Sequence, residues 1–204
     1  MGSIITKHYP ISFEIAGPAA IFVRPDSGSV PVTYPAPTRS ALKGMAECIV
    51  YSKDAYFLPQ AVEICSPICY HDYATTYHGP LKKSGTSVYQ LFATTLEDVC
   101  YKVYGEVLAY RPPRHKDNPQ HAFQAVFQRR LKRGEFHTTP FLGWKEFAAS
   151  YMGPLREETS ADESINLTIP SMLADMYDRP TMGRVSPRFL YNVKIEKGVL
   201  RFAE

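Results

Sequence analysis

The run VYQLFATTLEDVCYKVYGEVLAY, at residues 88–110, is strongly strand-like. Its valines, tyrosines and threonines favour extended backbone, and its length suits either two strands or one bent strand. A second strand-like run covers residues 62–70. We expect residues 71–87, between the two runs, to be a mobile connection in which His71 and His78 face the solvent.

A helix is predicted on each side of this strand-like region. Thr38 is a good N-cap for a helix over residues 39–51. Asn118-Pro119 opens a second helix with the usual cap and first-turn residues, and Gly134 closes it. The first helix carries a polar face at successive i+4 steps, made of Arg39, Lys43, Glu47 and Tyr51. The second should bury an apolar stripe of Ala122, Phe123, Val126, Phe127 and Leu131.

The order of strands and helices predicts the fold class. The remaining strands are an opening strand broken at Gly17-Pro18, one strand at residues 139–147, and a C-terminal hairpin of residues 191–195 and 199–202. Strand, helix, two strands, helix and strand in succession predict an α+β fold of the ferredoxin-like (RRM-like) type. We expect this domain to cover residues 1–150, and a small C-terminal antiparallel β-sheet to cover residues 151–204.

Composition limits the class of protein. The chain has 204 residues, 45% of them apolar and 21% charged, which is typical of a globular domain. Seventeen prolines and fourteen tyrosines argue against a helical bundle. The net charge of +3 neither requires nor excludes a polyanionic partner. Since no window suits a transmembrane helix and the N-terminus does not match a secretory signal, we expect a cytoplasmic protein without a membrane partner.

The four cysteines do not form a recognisable metal motif. Cys65 and Cys69, with His71 just beyond, would suit a metal, but structural zinc usually shows two tight ligand pairs. Cys65 ends a strand-like run, where a thiol behaves as a small buried hydrophobe. We therefore expect reduced cysteines, no metal and no cofactor.

Common catalytic motifs are missing from the sequence. It has no GxxxxGK[ST], GxGxxG, GxSxG or HExxH pattern. Nucleotide hydrolysis, dinucleotide chemistry, nucleophile-elbow hydrolysis and zincin proteolysis therefore lose their usual support. Carboxylates are not clustered as paired metal ligands either, so no two-metal nuclease site is predicted.

A histidine and a group of cations remain as candidate chemistry. His121 lies near the third position of the second helix, opposite the apolar stripe, and Arg114, His115 and Lys116 precede it. A base beside cations suits metal-free RNA cleavage, because the base can deprotonate the ribose 2′-hydroxyl while the cations stabilise the phosphorane. Alternatively, His121 helps to cap its helix and the basic loop is a solvated surface. The same two interpretations, helix dipole or phosphate contact, apply to Arg129, Arg130, Lys132 and Arg133.

A series of short segments carries a family resemblance. They are FEIAGPAAIF at residues 13–22, YPAPT at 34–38, ALKG at 41–44, VEI at 62–64, PI at 67–68, HAFQ at 121–124, RRL at 129–131, FLGWKEF at 141–147 and INLTIPSM at 165–172. In these segments the chain resembles the CRISPR-associated Cas5 family, in its type I-C branch. The resemblance spans nearly the whole chain in order.

This resemblance implies a fold and an activity. The fold would be a ferredoxin-like domain with a small C-terminal sheet. The activity would be metal-independent endoribonucleolytic cleavage of the repeat hairpins in CRISPR precursor RNA, leaving a 2′,3′-cyclic phosphate. The protein would stay bound to the 5′ handle of the guide RNA and assemble with the backbone and large subunits of an antiviral surveillance complex. Duplex DNA is a further candidate partner.

The resemblance also implies an active site. The family uses a tyrosine at the end of the first helix, here Tyr51, and a Lys-His pair before the second helix, here Gln120-His121. With lysine absent from position 120, Lys116 is assigned to stabilise the transition state and His121 to act as the general base or acid. Tyr51 is assigned to orient or deprotonate the 2′-hydroxyl. The residues expected to hold phosphates are Lys43, which is also an alternative cation, Arg111, Arg114, Arg129, Arg130, Lys132 and Arg133.

Three other functions remain open from the sequence. The first is a catalytically inactive subunit of the same complex that binds RNA and DNA. The second is a general duplex-binding protein. The third is an unrelated ferredoxin-like metabolic enzyme, against which the missing small-molecule motifs argue. Separately from these alternatives, Tyr70, Tyr73 and Tyr77 are either groups that stack on bases or ordinary sheet residues.

Overall fold

The computed structural model describes residues 7–78, 88–110, 118–177 and 184–202. These residues form two helices and eight strands. In chain order the elements are β1 (Pro10–Ala20), α1 (Arg39–Ile49), β2 (Ala55–Ile64), β3 (Cys69–His78), β4 (Val88–Ala109), α2 (Pro119–Arg133), β5 (Tyr151–Gly153), β6 (Leu167–Tyr177), β7 (Val185–Glu196) and β8 (Val199–Arg201). Within the described parts of the chain, neither helix is long and apolar enough to cross a membrane.

The strands form one antiparallel sheet in the order β5-β1-β4-β2-β8-β7-β6, and β3 pairs with the first half of β4. The predicted α+β class is therefore confirmed. The finer ferredoxin-like assignment stays a prediction, and the order β5-β1-β4-β2 around two helices agrees with it. The predicted domain boundary at residue 150 also stays a prediction. The strand just after it, β5, pairs with β1 of the first predicted domain.

The long run at residues 88–110 forms a single strand, β4. It pairs with β3 over Val88–Glu97 and with β1 and β2 further along. Asp98 has a φ of +46° where the partner changes, and such a local irregularity bends a strand without ending it. The prediction of a mobile connection at 71–87 was wrong over residues 71–78, which belong to β3 because they pair with β4. Residues 79–87 lie outside the described part of the chain.

The opening strand is continuous through Gly17-Pro18, contrary to the predicted break. β5 pairs with β1 only at Glu14–Ala16, so Pro18 lies where this edge of β1 has no strand neighbour and a missing N–H is tolerated. Gly17 packs closely against the loop before β5, since a Cβ there would come within 2.6 Å of the end of the Leu142 side chain.

Both helices begin at the predicted caps. The Thr38 side chain accepts a hydrogen bond from the Ala41 N–H at 3.2 Å, and the Asn118 side chain accepts one from the His121 N–H at 3.0 Å. Gly134 closes α2 with a φ of +65°, a left-handed conformation that glycine adopts at little cost. Local sequence therefore sets three of the four helix ends.

The core lies between the sheet and the helices. Phe13 of β1 packs against Phe57 of β2 and Phe127 of α2, with ring centroids 6.0 and 5.9 Å apart, and all three rings are fully buried. Phe123 and Leu131 continue the buried face of α2, and Val126 is half-buried at its edge, as predicted.

Ala122 was wrongly predicted to be part of this stripe. It is exposed, because it lies about 100° around the helix from Phe123. The exposed side of α2 therefore includes both residue 122 and its neighbour His121.

The predicted strand at 139–147 was also wrong. The segment is irregular, with one bridge between Phe141 and Ala148 and a φ of +95° at Gly143. Leu142 and Phe147 are nevertheless buried, so apolar residues that resembled a strand are core-filling loop residues. The C-terminal hairpin was predicted correctly as β7 and β8, joined by Lys197 and Gly198 with φ values of +48° and +74°.

A buried ionic cluster joins β1 to the loop after β5. Glu14 is fully buried and accepts hydrogen bonds from the Arg156 N–H at 2.8 Å, the Arg156 guanidinium at 2.8 Å and the Thr159 hydroxyl at 3.0 Å. Lys102 Nζ donates to the carbonyls of Arg156 and Thr159 at 2.8 and 2.6 Å. Burial opposes ionisation of Glu14, but these hydrogen bonds outweigh it and hold its pKa below the ordinary 4.5.

Candidate active site

His121 lies in the first turn of α2, where three side chains fix the helix against the sheet. Gln120 Nε2 donates to the Val107 carbonyl at 3.1 Å, and Gln124 Nε2 donates to the Pro10 carbonyl at 2.7 Å. Asn118 caps the helix through the His121 N–H. The His121 side chain itself is exposed, so a firmly held backbone presents an imidazole to the solvent.

Tyr9 is the aromatic neighbour of His121. The two ring centroids are 6.3 Å apart with an interplanar angle of 58°. Tyr9 is buried, its hydroxyl accepts a hydrogen bond from Asn118 Nδ2, and its carbonyl accepts one from the Val107 N–H at 2.9 Å. The same asparagine thus caps α2 and fixes the ring beside its histidine.

Lys7 supplies a cation on the same side of the sheet. Its Nζ lies 5.6 Å from the centroid of the Tyr9 ring, so Lys7 and His121 both adjoin this ring. Sequence reasoning missed both Lys7 and Tyr9. Their placement follows from the pairing of Pro10 with Glu106, which brings the residues before β1 to the end of β4 and the start of α2.

His8 is directed elsewhere. Its Nδ1 lies 2.8 Å from Glu106 Oε1. Because successive side chains of a strand point to opposite faces, Glu106 lies on the face of β4 opposite the buried Val107, against which α2 packs. His8 is therefore not grouped with His121.

Tyr51 lies two residues beyond the end of α1, which stops at Ile49 rather than at the predicted residue 51. The prediction that Tyr51 shares a helical face with Lys43 was therefore wrong. Tyr51 is 55% exposed. The segment carrying it leads into β2, whose Ala55 pairs with Ala109. Since Gln120 bonds Val107 of the same strand, the Tyr51 segment and the start of α2 both adjoin the end of β4.

Lys43 and the basic end of α2 have specific partners. Lys43 Nζ lies 5.2 Å from the centroid of the Tyr56 ring, which stacks on Tyr110 at 4.4 Å. Arg130 Nη1 donates to the Ile49 carbonyl at 2.9 Å, so this predicted RNA contact is used to cap the end of α1. Arg133 lies 3.6 Å from Glu135.

Arg129 and Lys132 are exposed on α2. Arg130 follows His121 by nine residues, which corresponds to about 14 Å along a helix. The basic end and the histidine thus occupy opposite ends of one rigid element. Three further predicted site residues, Lys116, Arg111 and Arg114, lie outside the described residues.

Solved structures share this α+β fold. A CRISPR-associated protein superimposes with a TM-score of 0.71 at 19% identity, covering 96% of this chain and 92% of its own. A functionally uncharacterized protein from Streptococcus mutans superimposes with a TM-score of 0.70 at 18% identity, covering 96% and 92%. At these identities the likeness defines a class of fold.

The sequence defines the family within that class. The family model described as CRISPR-associated protein (Cas_Cas5) matches residues 11–179, and the chain belongs to this Cas5 family. It is also similar to the CRISPR pre-crRNA endoribonuclease Cas5d of Thermus thermophilus, with 28% identity over 176 residues that cover 81% of this chain and 72% of the relative. The family predicted from the sequence is confirmed, and the type I-C branch stays a prediction.

Proposed function

We propose that this chain is a metal-independent endoribonuclease of the cytoplasm that cuts CRISPR precursor RNA within its repeat hairpins. It then remains on the 5′ handle of the guide RNA as a subunit of a type I-C surveillance complex. Family membership and the relative named as a pre-crRNA endoribonuclease support the RNA-processing role. The observation that carries the mechanism is the exposed His121 on a fixed helix start, beside the Tyr9 ring that Lys7 also adjoins.

The reaction is a transesterification within the RNA. His121 takes the proton of the ribose 2′-hydroxyl, and the resulting oxygen attacks the adjacent phosphorus. The bond from phosphorus to the 5′ oxygen breaks, and that oxygen takes the proton from His121 and leaves as a 5′-hydroxyl. The other product ends in a 2′,3′-cyclic phosphate. No oxidant, reductant or bound cofactor is consumed.

A cation near His121 would stabilise the charge that builds up on the phosphorane. Position 120 cannot supply it, because glutamine stands there and its amide bonds the Val107 carbonyl. Lys7 is our first choice among the described residues because it adjoins the Tyr9 ring, and Lys116 remains the choice from the sequence. Tyr51 is proposed to orient the 2′-hydroxyl from the segment before β2.

The basic end of α2 would bind the RNA backbone away from the cut. Arg129 and Lys132 are exposed and lie about 12 and about 16 Å along the helix from His121. The arrangement suits a hairpin stem lying along α2 with its cut site at the start of the helix.

The decisive experiment measures cleavage of the cognate repeat RNA in EDTA. A normal substrate should be cut, and one with a 2′-deoxy sugar at the cut site should stay intact. His121→Ala should lower the cleavage rate by about 10² to 10⁴-fold while hairpin affinity stays within a few-fold. His137→Ala, at an exposed histidine beyond α2, is the matched control. Cleavage by His121→Ala at the wild-type rate would place the site elsewhere.

One observation favours a second function, the inactive structural subunit. Gln120 stands where the family has its lysine, and its side chain is committed to the sheet. A member without that cation could retain the RNA and lose the chemistry. Hairpin binding without cleavage, both in EDTA and in Mg²⁺, would establish this alternative and exclude the enzyme.

A further inference from the structure

A cleft of about 590 Å³ lies away from α2 and the end of β4. The loop after β1, the start of β3 at Tyr70, β6, and Phe189 of β7 form its walls. Its volume is in the range of ordinary small-ligand sites. None of the described residues assigned above to catalysis or phosphate binding lines it.

Aromatic side chains cover much of the cleft. Tyr34 is buried and fixed, since its hydroxyl accepts a hydrogen bond from the Leu173 N–H at 3.1 Å. Tyr70 and Phe189 are 55% and 37% exposed. Large aromatic rings that stay in water next to a cavity offer flat apolar faces to a ligand, and a nucleobase has a matching face.

One ion pair adds polar groups at the rim. Arg24 Nε and Nη2 donate to the two carboxylate oxygens of Asp26 at 3.1 and 2.7 Å. Both side chains are about half exposed or more. The Arg24 guanidinium has further N–H groups, and each Asp26 oxygen has a second lone pair. The pair therefore presents donors and acceptors side by side, as required to read the edge of a base.

We propose that this cleft binds one unpaired purine base of the repeat RNA, separately from the cleavage site. This inference rests on the proposed function for the presence of RNA. Stacking on aromatic side chains together with hydrogen bonds to the base edge is the usual way in which single-stranded RNA is read. A purine fits better than a pyrimidine, because its two fused rings cover more of the exposed Tyr70 and Phe189 surface.

Binding of a fluorescent, 2′-deoxy-blocked repeat hairpin tests the cleft without interference from cleavage. Tyr70→Ala should weaken binding about ten-fold, Tyr70→Phe should restore it, and Asp26→Asn should reduce the preference for the purine. Tyr191→Ala, at a tyrosine that is 72% exposed and does not line the cleft, should leave affinity unchanged. Unchanged affinity in Tyr70→Ala, or an equal loss in Tyr191→Ala, would overturn the proposal.

An abasic scan of the unpaired nucleotides identifies the bound base. At one purine position, the abasic change should weaken binding to the wild type about ten-fold. The same change should cause no further loss of affinity in the Tyr70→Ala protein, because both changes remove the same contact. Additive losses at every position would contradict a base in the cleft. Loss of assembly with a partner subunit at unchanged RNA affinity would instead identify the cleft as a protein contact.

The two proposals can fail separately. Single-turnover cleavage at saturating protein should remain His121-dependent in the Tyr70→Ala protein. If cleavage persists but no base position couples to Tyr70, only the cleft proposal is wrong. If the wild type neither binds nor cuts the repeat, the proposed function has failed.

Discussion

Glu14 and His121 lie at the centres of two polar clusters with opposite exposure. Glu14 is fully buried, and its carboxylate is surrounded by donors from Arg156 and Thr159. His121 is held by its backbone at a helix cap while its imidazole faces solvent beside Tyr9. The first cluster satisfies the Glu14 carboxylate with hydrogen bonds from within the protein and joins β1 to the loop after β5. The second leaves titratable groups available to a ligand.

The largest stability effect should come from the buried cluster. Glu14→Gln leaves the Arg156 guanidinium without its counter-charge, and breaking one side of a buried pair is strongly destabilising. Because Arg156 is still about a third exposed, we expect a loss of about 3 kcal/mol, at the lower end for such pairs. Denaturant unfolding measures it. Cleavage per folded molecule should not change, and a large loss of cleavage would show that the two clusters are coupled.

Acid provides an independent check of the same carboxylate. The folded pKa of Glu14 lies below the ordinary 4.5, so its stabilising contribution is full above about pH 4.5. It is lost as the pH falls through the folded pKa. The wild type should therefore lose its stability advantage over Glu14→Gln below that pH. A constant difference between the two proteins down to the folded pKa would contradict the assignment.

A substitution in the exposed cluster should change the cleavage rate and not the free energy of unfolding. Lys7→Ala should lower the single-turnover cleavage rate about 100-fold, as the loss of one group that stabilises developing charge does, with an unchanged unfolding free energy. Lys145→Ala, at an exposed lysine in the loop before β5, is the control. If Lys116→Ala lowers the rate and Lys7→Ala does not, the cation comes from the loop before α2.

Local sequence was sufficient for the helix starts. Thr38 and Asn118 act through side-chain contacts within their own first turns, and Gly134 closes α2 through its own backbone conformation. The apolar run that failed, residues 139–147, shows the limit of such reasoning. Burial of Leu142 and Phe147 gives the same pattern in a loop as in a strand.

The site depended on strand register, which the sequence does not display. His121 could be found from its helix position, but Lys7 and Tyr9 join it through pairing between Pro10 and Glu106, 96 residues apart. The role of Arg130 could not be predicted from local sequence either, because its acceptor at Ile49 belongs to another helix. A basic residue type therefore predicted a phosphate contact where the fold uses a cap.

The smallest effects should separate Arg130 from its neighbour Arg129. Arg130→Ala removes a charged donor from the last turn of α1, and we expect it to cost about 1–2 kcal/mol of stability. Arg129→Ala, at an exposed position, should change stability by less than about 0.5 kcal/mol. Thermal unfolding of the two variants distinguishes a structural arginine from a surface one.

In RNA binding, the larger effect should come from Arg129→Ala and not from Arg130→Ala. Arg129→Ala should weaken hairpin affinity a few-fold and lower the slope of log affinity against log salt by about one, since one phosphate contact is lost. Arg130→Ala should leave that slope unchanged, because its guanidinium bonds the Ile49 carbonyl. If both variants keep the wild-type salt slope, the exposed end of α2 does not touch the backbone, and the hairpin must then approach His121 from another direction.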